Sequence, residues 1–472
     1  MNTFSYGADS GGMENFMAKK TTMINNMTSG NVIRQLLLFA YPFMLSNLLQ
    51  VVYTLVDMIV VGQFVGSYGL SGVAIGGEIS MLFTMLCFGF TSAGQIMVSQ
   101  YVGQDDHESI KSTIGTMFTT VAIIGAVITA VSLICVDPLL RLMNAPAESY
   151  KQARDYSVVC FVGTIFTYGY NTVGSVLRGM GDSKRPFIFV TIAAVLNLIL
   201  DLLFVVAFRM DTMGAALATV IGQSVSFIIS LFYLYRHKEA FGFDFKLKSF
   251  AIDSAKLKPM IKLGLPMALQ FGAISVSMLY VNSLVNAAGG VIASAVAGVG
   301  GKINNVMSIV SNSIGTAASA MIGQNIAARR HDRVSRITWV SFAICGACAV
   351  VLSAAFMLFP KQVFGIFNSD PEVLAYAPFY SLVAAVGFIS FSIISPFNSL
   401  INGIGHASLA LVIALMDGVV ARVGFVLLFG VALDFGVKGM WMGSACAGFV
   451  SGILSLIYFL SGKWKERKLL IE

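Results

Sequence analysis

Charge is scarce in this chain. Only 11% of its 472 residues are Asp, Glu, Lys or Arg, far below what a water-soluble protein spends on its surface. Histidine is scarcer still, with four residues. No H-E-x-x-H pair, no paired metal ligands, no Ser–His arrangement and no glycine-rich phosphate loop occurs, so an intramembrane enzyme has no support. The lack of extra histidines and of cytoplasmic domains also disfavours a receptor or an ATP-driven pump. The six cysteines, at 87, 135, 160, 345, 348 and 446, lie in or beside apolar stretches, which argues against a secreted disulfide framework. Cys345-x-x-Cys348 has no second pair and no histidine nearby, so it reads as small-residue helix packing and not as a metal site.

What the chain does have is apolar residue, 57% of the total, with a mean hydropathy of +0.81. That is the composition of a polytopic membrane protein. Twelve apolar runs are long enough to cross a bilayer as helices: 36–61, 70–97, 113–136, 156–178, 186–208, 213–235, 261–288, 291–325, 334–359, 375–402, 408–430 and 437–460. Residues 1–30 are polar and lack the apolar core of a signal peptide, so a mobile cytoplasmic tail is expected there.

The basic residues set the orientation. With the N-terminus inside, cytoplasmic segments hold 22 of the 30 Lys and Arg, and outer loops hold six. The bias predicts an inner (plasma) membrane protein with both termini cytoplasmic. The net charge of +7 flanks spans and forms no single patch, so nucleic acid is not expected as a partner.

The two halves repeat. A shift of 224 carries Pro42 onto Pro266 and Gly76-Gly77-Glu78-Ile79 onto Gly300-Gly301-Lys302-Ile303. The same shift carries Asn144, Tyr156, Ser175, Gly179 and Gly181 onto Asn368, Tyr380, Ser399, Gly403 and Gly405. Gly103-Gln104 meets Gly323-Gln324 at a shift of 220. Six spans per half is an even number, so both halves insert the same way up and relate by an axis along the membrane normal. The expected fold is all-α: two parallel six-helix lobes, 31–235 and 261–460, around a central cleft. A cytoplasmic linker at 236–260 joins them, and 461–472 is a cytoplasmic tail. Two such lobes make an alternating-access transporter.

Within the oil, two acids stand out. Asp57 lies in LQVVYTLVDMIVVG and Asp201 in IAAVLNLILDLLFVV. A charge at mid-bilayer costs about 2.5–3.5 kcal/mol or more, so it is seldom kept without a job. Asn197 precedes Asp201 by four residues and shares its helix face. Carboxylates brought together in a low dielectric cannot both stay ionised without a cation. Oxygen ligands suit H⁺ or Na⁺ and not a soft transition metal. The plainer alternative is a satisfied structural carboxylate. Asn47, Gln50 and Thr54 share a stripe with Asp57 on the first span, and Tyr168, Asn171 and Ser175 form another on the fourth. With Gln223 and Gln270 they are candidates to line a substrate path; the alternative is polar glue between helices. Glu78 and Lys302, equivalent in the repeat and opposite in charge, are a candidate gate pair across the pseudo-two-fold. Asp417 and Arg422 share the eleventh span and are expected to neutralise charge inside the second lobe; the alternative is a part in coupling.

TLVDMIVVG in the first span, VSQYVGQDD after the second, RGMGDSKRP after the fourth and NLILD in the fifth resemble, in their order, the multidrug and toxic compound extrusion (MATE) transporters. The resemblance runs from about residue 30 to the end. It implies secondary antiport of lipophilic, often cationic drugs or metabolites against H⁺ or Na⁺, no organic cofactor, and a monomer in the bilayer. In the DinF-like branch it implies a coupling-cation site at Asp57, Asn197, Asp201 and Thr219, with a first-helix hinge at Pro42. The NorM-like branch places acids on the seventh and tenth helices; LPMALQFGAISVSMLYVNSL and ISFSIISPFNSLIN have none, so the DinF-like arrangement is the match. A lipid-linked precursor flippase of related fold is the alternative. It calls for a large cationic cavity, yet only Lys302 and Arg422 lie within spans.

Overall fold

A computed structural model describes residues 23–471. Every regular element among them is helical. Twelve long helices form the body: α1 Val32–Phe64, α2 Ser67–Gln104, α3 His107–Ile134, α4 Tyr150–Gly179, α5 Lys184–Ala207, α6 Asp211–Arg236, α7 254–289, α8 291–327, α9 His331–Leu358, α10 Pro371–Gly403, α11 Ala407–Ala432 and α12 Gly436–Leu460. α7 and α8 form one run, Ser254–Ala327, broken at Gly290, whose φ of 60° and ψ of −151° only glycine adopts without strain. The helices outrun the expected spans because polar caps lie beyond the apolar cores. Asn31, Asp106, Asp253 and Asp370 each accept a hydrogen bond from a first-turn amide.

Ten described helical stretches are long and apolar enough to span a bilayer. The broken 74-residue run counts once among them and supplies two spans. The twelfth, α4, is 30 residues long but more polar, and it packs inside the first lobe against α2, α3 and α6. In the apolar helices only 22–50% of each most hydrophobic window is buried. The remainder, residues such as Leu38, Ile59, Phe232 and Val351, forms an outward apolar belt suited to acyl chains.

The sequence repeat is a packing repeat. In the N-lobe α1 packs on α5, and α4 packs on α2, α3 and α6, with α5 on α6. In the C-lobe α7 packs on α11, and α10 packs on α8, α9 and α12, with α11 on α12. These are the same five pairings six helices later. The lobes meet at the face that carries most of the basic residues. There Gln100 Nε2 donates to the Gly403 carbonyl at 3.0 Å, and Asn47 Nδ2 to Ser313 Oγ at 3.2 Å. Gly89 lies against Gly264 and Ala268, and Gly103 against the backbone of Gln324. Toward the opposite face the lobes part. Glu78 and Lys302 are exposed there, and Gly77, Gly298 and Gly301 have nothing within 4 Å of a Cβ position. The cleft is therefore closed on the basic face and open on the other.

Residues 1–22 of the expected tail lie outside the described residues. Residues 23–30 run across the closed mouth as a strap. Asn25 N donates to the Met180 carbonyl of the N-lobe at 2.8 Å, and Met27 N to Gln324 Oε1 of the C-lobe at 2.8 Å. The Arg333 guanidinium gathers the carbonyls of Met27, Ser29 and Gly30. The strap is held mostly through its own backbone and by the buried side chains of Met23 and Met27, which the mean hydropathy of a polar stretch does not register. The linker is also tied down. Lys111 Nζ reaches Asp244 at 2.9 Å, and Ser249 and Lys111 beside it hold the Asp244 carboxyl well below the ordinary carboxylate range.

Candidate coupling-ion site and cleft

α1 brings Asp57 to α5, and the structure buries both acids: Asp57 is 5% exposed and Asp201 0%. Their carboxyl groups face one another within hydrogen-bonding reach. Asn197, 3% exposed, stands one turn before Asp201 and donates through Nδ2 to Thr219 Oγ1 of α6 at 3.2 Å. The four residues singled out as a cation site thus converge from three helices. One Asp57 oxygen, both Asp201 oxygens and Asn197 Oδ1 are buried acceptors without a donor. Such a cluster of hard oxygen acceptors is costly unless a proton is shared between the acids or a small cation sits among them. The donor set fits H⁺ or Na⁺.

Directly after Asp201, α5 changes to a π turn, Leu202–Ala207. The change re-aims the end of the helix, as π turns at working sites commonly do. On α1, Pro42 is buried within a helix that continues through it, and Ser46 Oγ donates to the Pro42 carbonyl at 2.9 Å. Proline has no amide to offer the carbonyl of Leu38, so this turn of α1 lacks one helical hydrogen bond.

Beside the ion cluster lies a cleft of about 680 Å³ including its open mouth, lined by five N-lobe helices. Gln50, Asn171, Asn197, Thr219 and Gln223 all border it. So do Tyr53, Thr84, Phe88, Thr167 and Tyr170, which were not singled out from sequence. Thr167 Oγ1 donates to Gln223 Oε1 at 2.6 Å, and the Tyr53 hydroxyl lies within bonding reach of Gln223. Tyr53 was detectable, since it precedes Asp57 by four residues and so shares its face.

Other path candidates are placed elsewhere. Tyr168, 1% exposed, donates its hydroxyl to the Phe83 carbonyl of α2. Ser175 is buried and accepts from Arg178 Nη2 at 2.7 Å. Asn47 bonds across to Ser313 of the other lobe. Thr54 is exposed and donates to the Gln50 carbonyl. Gln270, on α7, is half-buried and does not border the N-lobe cleft. At the open end, Lys302 Nζ lies 5.6 Å from the Phe367 ring of its own lobe, and no ion pair joins it to Glu78 among the described residues. In the C-lobe, Arg422 Nη2 reaches Asp417 Oδ1 at 3.0 Å.

Comparison with known proteins matches the two-lobed fold. The sequence model of the MatE family fits residues 42–203 and 266–435, one block per lobe. The chain is 30% identical over 454 residues to the "Probable multidrug resistance protein YpnP" of Bacillus subtilis, covering 95% of this chain and 99% of that one. It is 23% identical to the "Multidrug export protein MepA" of Staphylococcus haemolyticus, over 85% of this chain and 88% of that one. Among solved structures, an "Outward-facing conformation of a multidrug resistance MATE family transporter" superposes with a TM-score of 0.89 at 22% identity, over 95% of this chain and 100% of that one. Two lobes of one repeat, a cleft between them and the family match over both halves lead to one conclusion: the chain is a multi-pass membrane transporter, not an enzyme, and belongs to the MatE family.

Proposed function

We propose that the protein exports lipophilic, often cationic small molecules across the cell membrane, in exchange for H⁺ or Na⁺ taken up on Asp57 and Asp201. The observation that carries this reading is the convergence of two buried acids, Asn197 and Thr219 at the wall of an open N-lobe cleft. In this reading the basic face is cytoplasmic, the state described is open to the outside, and the protein works as a monomer in the bilayer. The coupling ion enters from outside and binds between the two carboxyls. Its binding draws α1 toward α5, and the weak turn at Pro42 accommodates the movement. The cleft wall shared by Gln50, Tyr53, Asn197 and Thr219 then changes shape, and bound drug leaves. The ion and the drug compete through their differing affinity for the two states, which is all that coupling requires. Phe88, Tyr53 and Tyr170 offer ring faces to a cationic, flat substrate.

Efflux from proteoliposomes under separately imposed pH and Na⁺ gradients tests this. Export is expected to follow one gradient and to ignore the other. Efflux indifferent to both would sink the coupling reading.

In the opposite state, Glu78 and Lys302 are proposed to close the outer mouth as an ion pair across the pseudo-two-fold. Reversing either charge alone should slow export, and the double swap Glu78→Lys with Lys302→Glu should restore it. A double swap as slow as the worse single variant removes the pair from the mechanism.

A further inference from the structure

The C-lobe holds a counterpart of the N-lobe ion site, and its charge is inverted. The register between them can be followed bond by bond. Around the α5–α6 turn, the amides of Phe208, Met210 and Gly214 donate to the carbonyls of Leu203, Phe204 and Met210. Around the α11–α12 turn, Leu433, Phe435 and Gly439 donate to Leu428, Phe429 and Phe435. Arg209 and Asp434 take the same left-handed conformation, with φ of 54° and 56°. Each of these pairs is 225 apart, whereas Gly181 and Gly405, just before α5 and α11, are 224 apart. The extra residue is taken up by the π turn Met416–Ala421 in α11, because an i→i+5 turn holds one residue more than an α turn.

In that register Arg422 stands where Asn197 stands, Ser444 where Thr219 does, and Val426 where Asp201 does. On α7, at the 224 shift that pairs Pro42 with Pro266, Val281 takes the place of Asp57. The hydrogen bond from Asn197 to Thr219 at 3.2 Å becomes one from Arg422 Nη1 to Ser444 Oγ at 3.4 Å. Both acids have become buried valines. The same π turn stacks residues five apart, and so brings Asp417 against Arg422, with side chains 8% and 15% exposed.

Besides Ser444 and the Met278 sulfur, both within 3.4 Å of Arg422 Nη1, the surroundings offer that pair no second charged partner among the described residues. α7 and α8 carry no acid, and their basic residues Lys256, Lys258, Lys262 and Lys302 lie toward the helix ends. α10 carries only Glu372, in its first turn. α12 brings Cys446, and Lys438 at its start, which lies over the rings of Tyr376 and Phe379.

We propose that Arg422 is a tethered cation. It fills the C-lobe counterpart of the coupling site, and it bars the exchangeable ion from that lobe. The inference rests on the N-lobe reading above and adds the reason that only one lobe exchanges an ion. A guanidinium never gives up its proton under physiological conditions, so Asp417 stays paired and has no vacancy for H⁺ or Na⁺. With Arg422 neutralised, Asp417 becomes a lone acid in an apolar lobe, which holds a proton or a small cation of its own. Arg422 is thus a specificity-determining residue, acting through Asp417.

The test counts ions bound per purified full-length chain, as proton uptake across the neutral range and as radioactive Na⁺ binding. The double variant Asp57→Asn/Asp201→Asn is expected to bind none. Adding Arg422→Gln should create one new site per chain, and adding Asp417→Asn should remove it again. If the triple variant does not fold, Arg422→Gln alone is read instead, and it should bind one ion per chain more than the wild type. A folded Arg422→Gln variant with no added site overturns the inference while leaving the N-lobe reading intact. Full ion binding by the Asp57→Asn/Asp201→Asn variant overturns the N-lobe reading, and the exclusivity inferred here falls with it.

Discussion

Asp201→Asn is expected to abolish gradient-driven export, lowering its initial rate by roughly 100-fold, the upper end of a typical coupling free energy between two sites. Asp201 is wholly buried, and both of its oxygens lack a donor. Asparagine keeps the shape but cannot take up a proton or balance Na⁺, so the site is permanently in one charge state. An ion that no longer distinguishes the two conformations cannot drive exchange between them. Asp57→Asn should act alike, because the two buried carboxyls are neighbours and share the proposed site. Asn197→Ala and Thr219→Ala each remove one partner of a 3.2 Å hydrogen bond and should cost less than about tenfold, as a single neutral hydrogen bond does. Drug binding at equilibrium should survive in all four variants, which separates lost coupling from lost folding. Wild-type export by either Asp variant under a gradient would end this account.

Gly103→Leu carries the second large effect. Gly103 of α2 sits on the backbone of Gln324, and Gly323 sits on Ser99. These are the glycines of the repeated Gly-Gln pairs, and each lets one lobe touch the other at the closed face. A backbone neighbour cannot step aside as a flexible side chain can. Overpacking at such a contact costs about 1–3 kcal/mol, enough to shift a two-state equilibrium up to about 100-fold away from the state described here. Spin labels on the basic ends of α2 and α8 should then report a wider separation, and export should slow. Gly77→Ala and Gly301→Ala are the matched controls, since a Cβ there meets nothing within 4 Å, and they should leave the distance distribution unchanged. An unaltered separation in Gly103→Leu would mean that this contact does not set the state.

The fold was legible because bilayer spanning and tandem repetition both leave plain marks. Asp57, Asn197 and Asp201 were legible for a related reason: polar groups in oil are expensive, so each advertises itself. What the pattern could not separate was one polar stripe from another. Gln50 and Asn171 border the cleft, yet Tyr168 and Ser175, on the same expected stripe as Asn171, are bonded inside the helix packing. Helical periodicity reports which residues share a face. It does not report whether that face meets an opening or a neighbouring helix. Nor could composition anticipate the strap at 23–30, which bonds mostly through its own backbone amides and carbonyls. The π turns were invisible for the same reason: one inserted residue among twenty-five barely disturbs an apolar pattern, although it decides what stands opposite Asn197 in the other lobe.

The strap changes what it takes for the transporter to open at its basic face. Asn25 is bonded to Met180 of one lobe, and Met27 to Gln324 of the other, so the lobes cannot part there by a simple hinge swing. They must first peel a short peptide from at least one bank. A local zipper of this kind would have to undo before the basic face could open, and its grip favours the state described here.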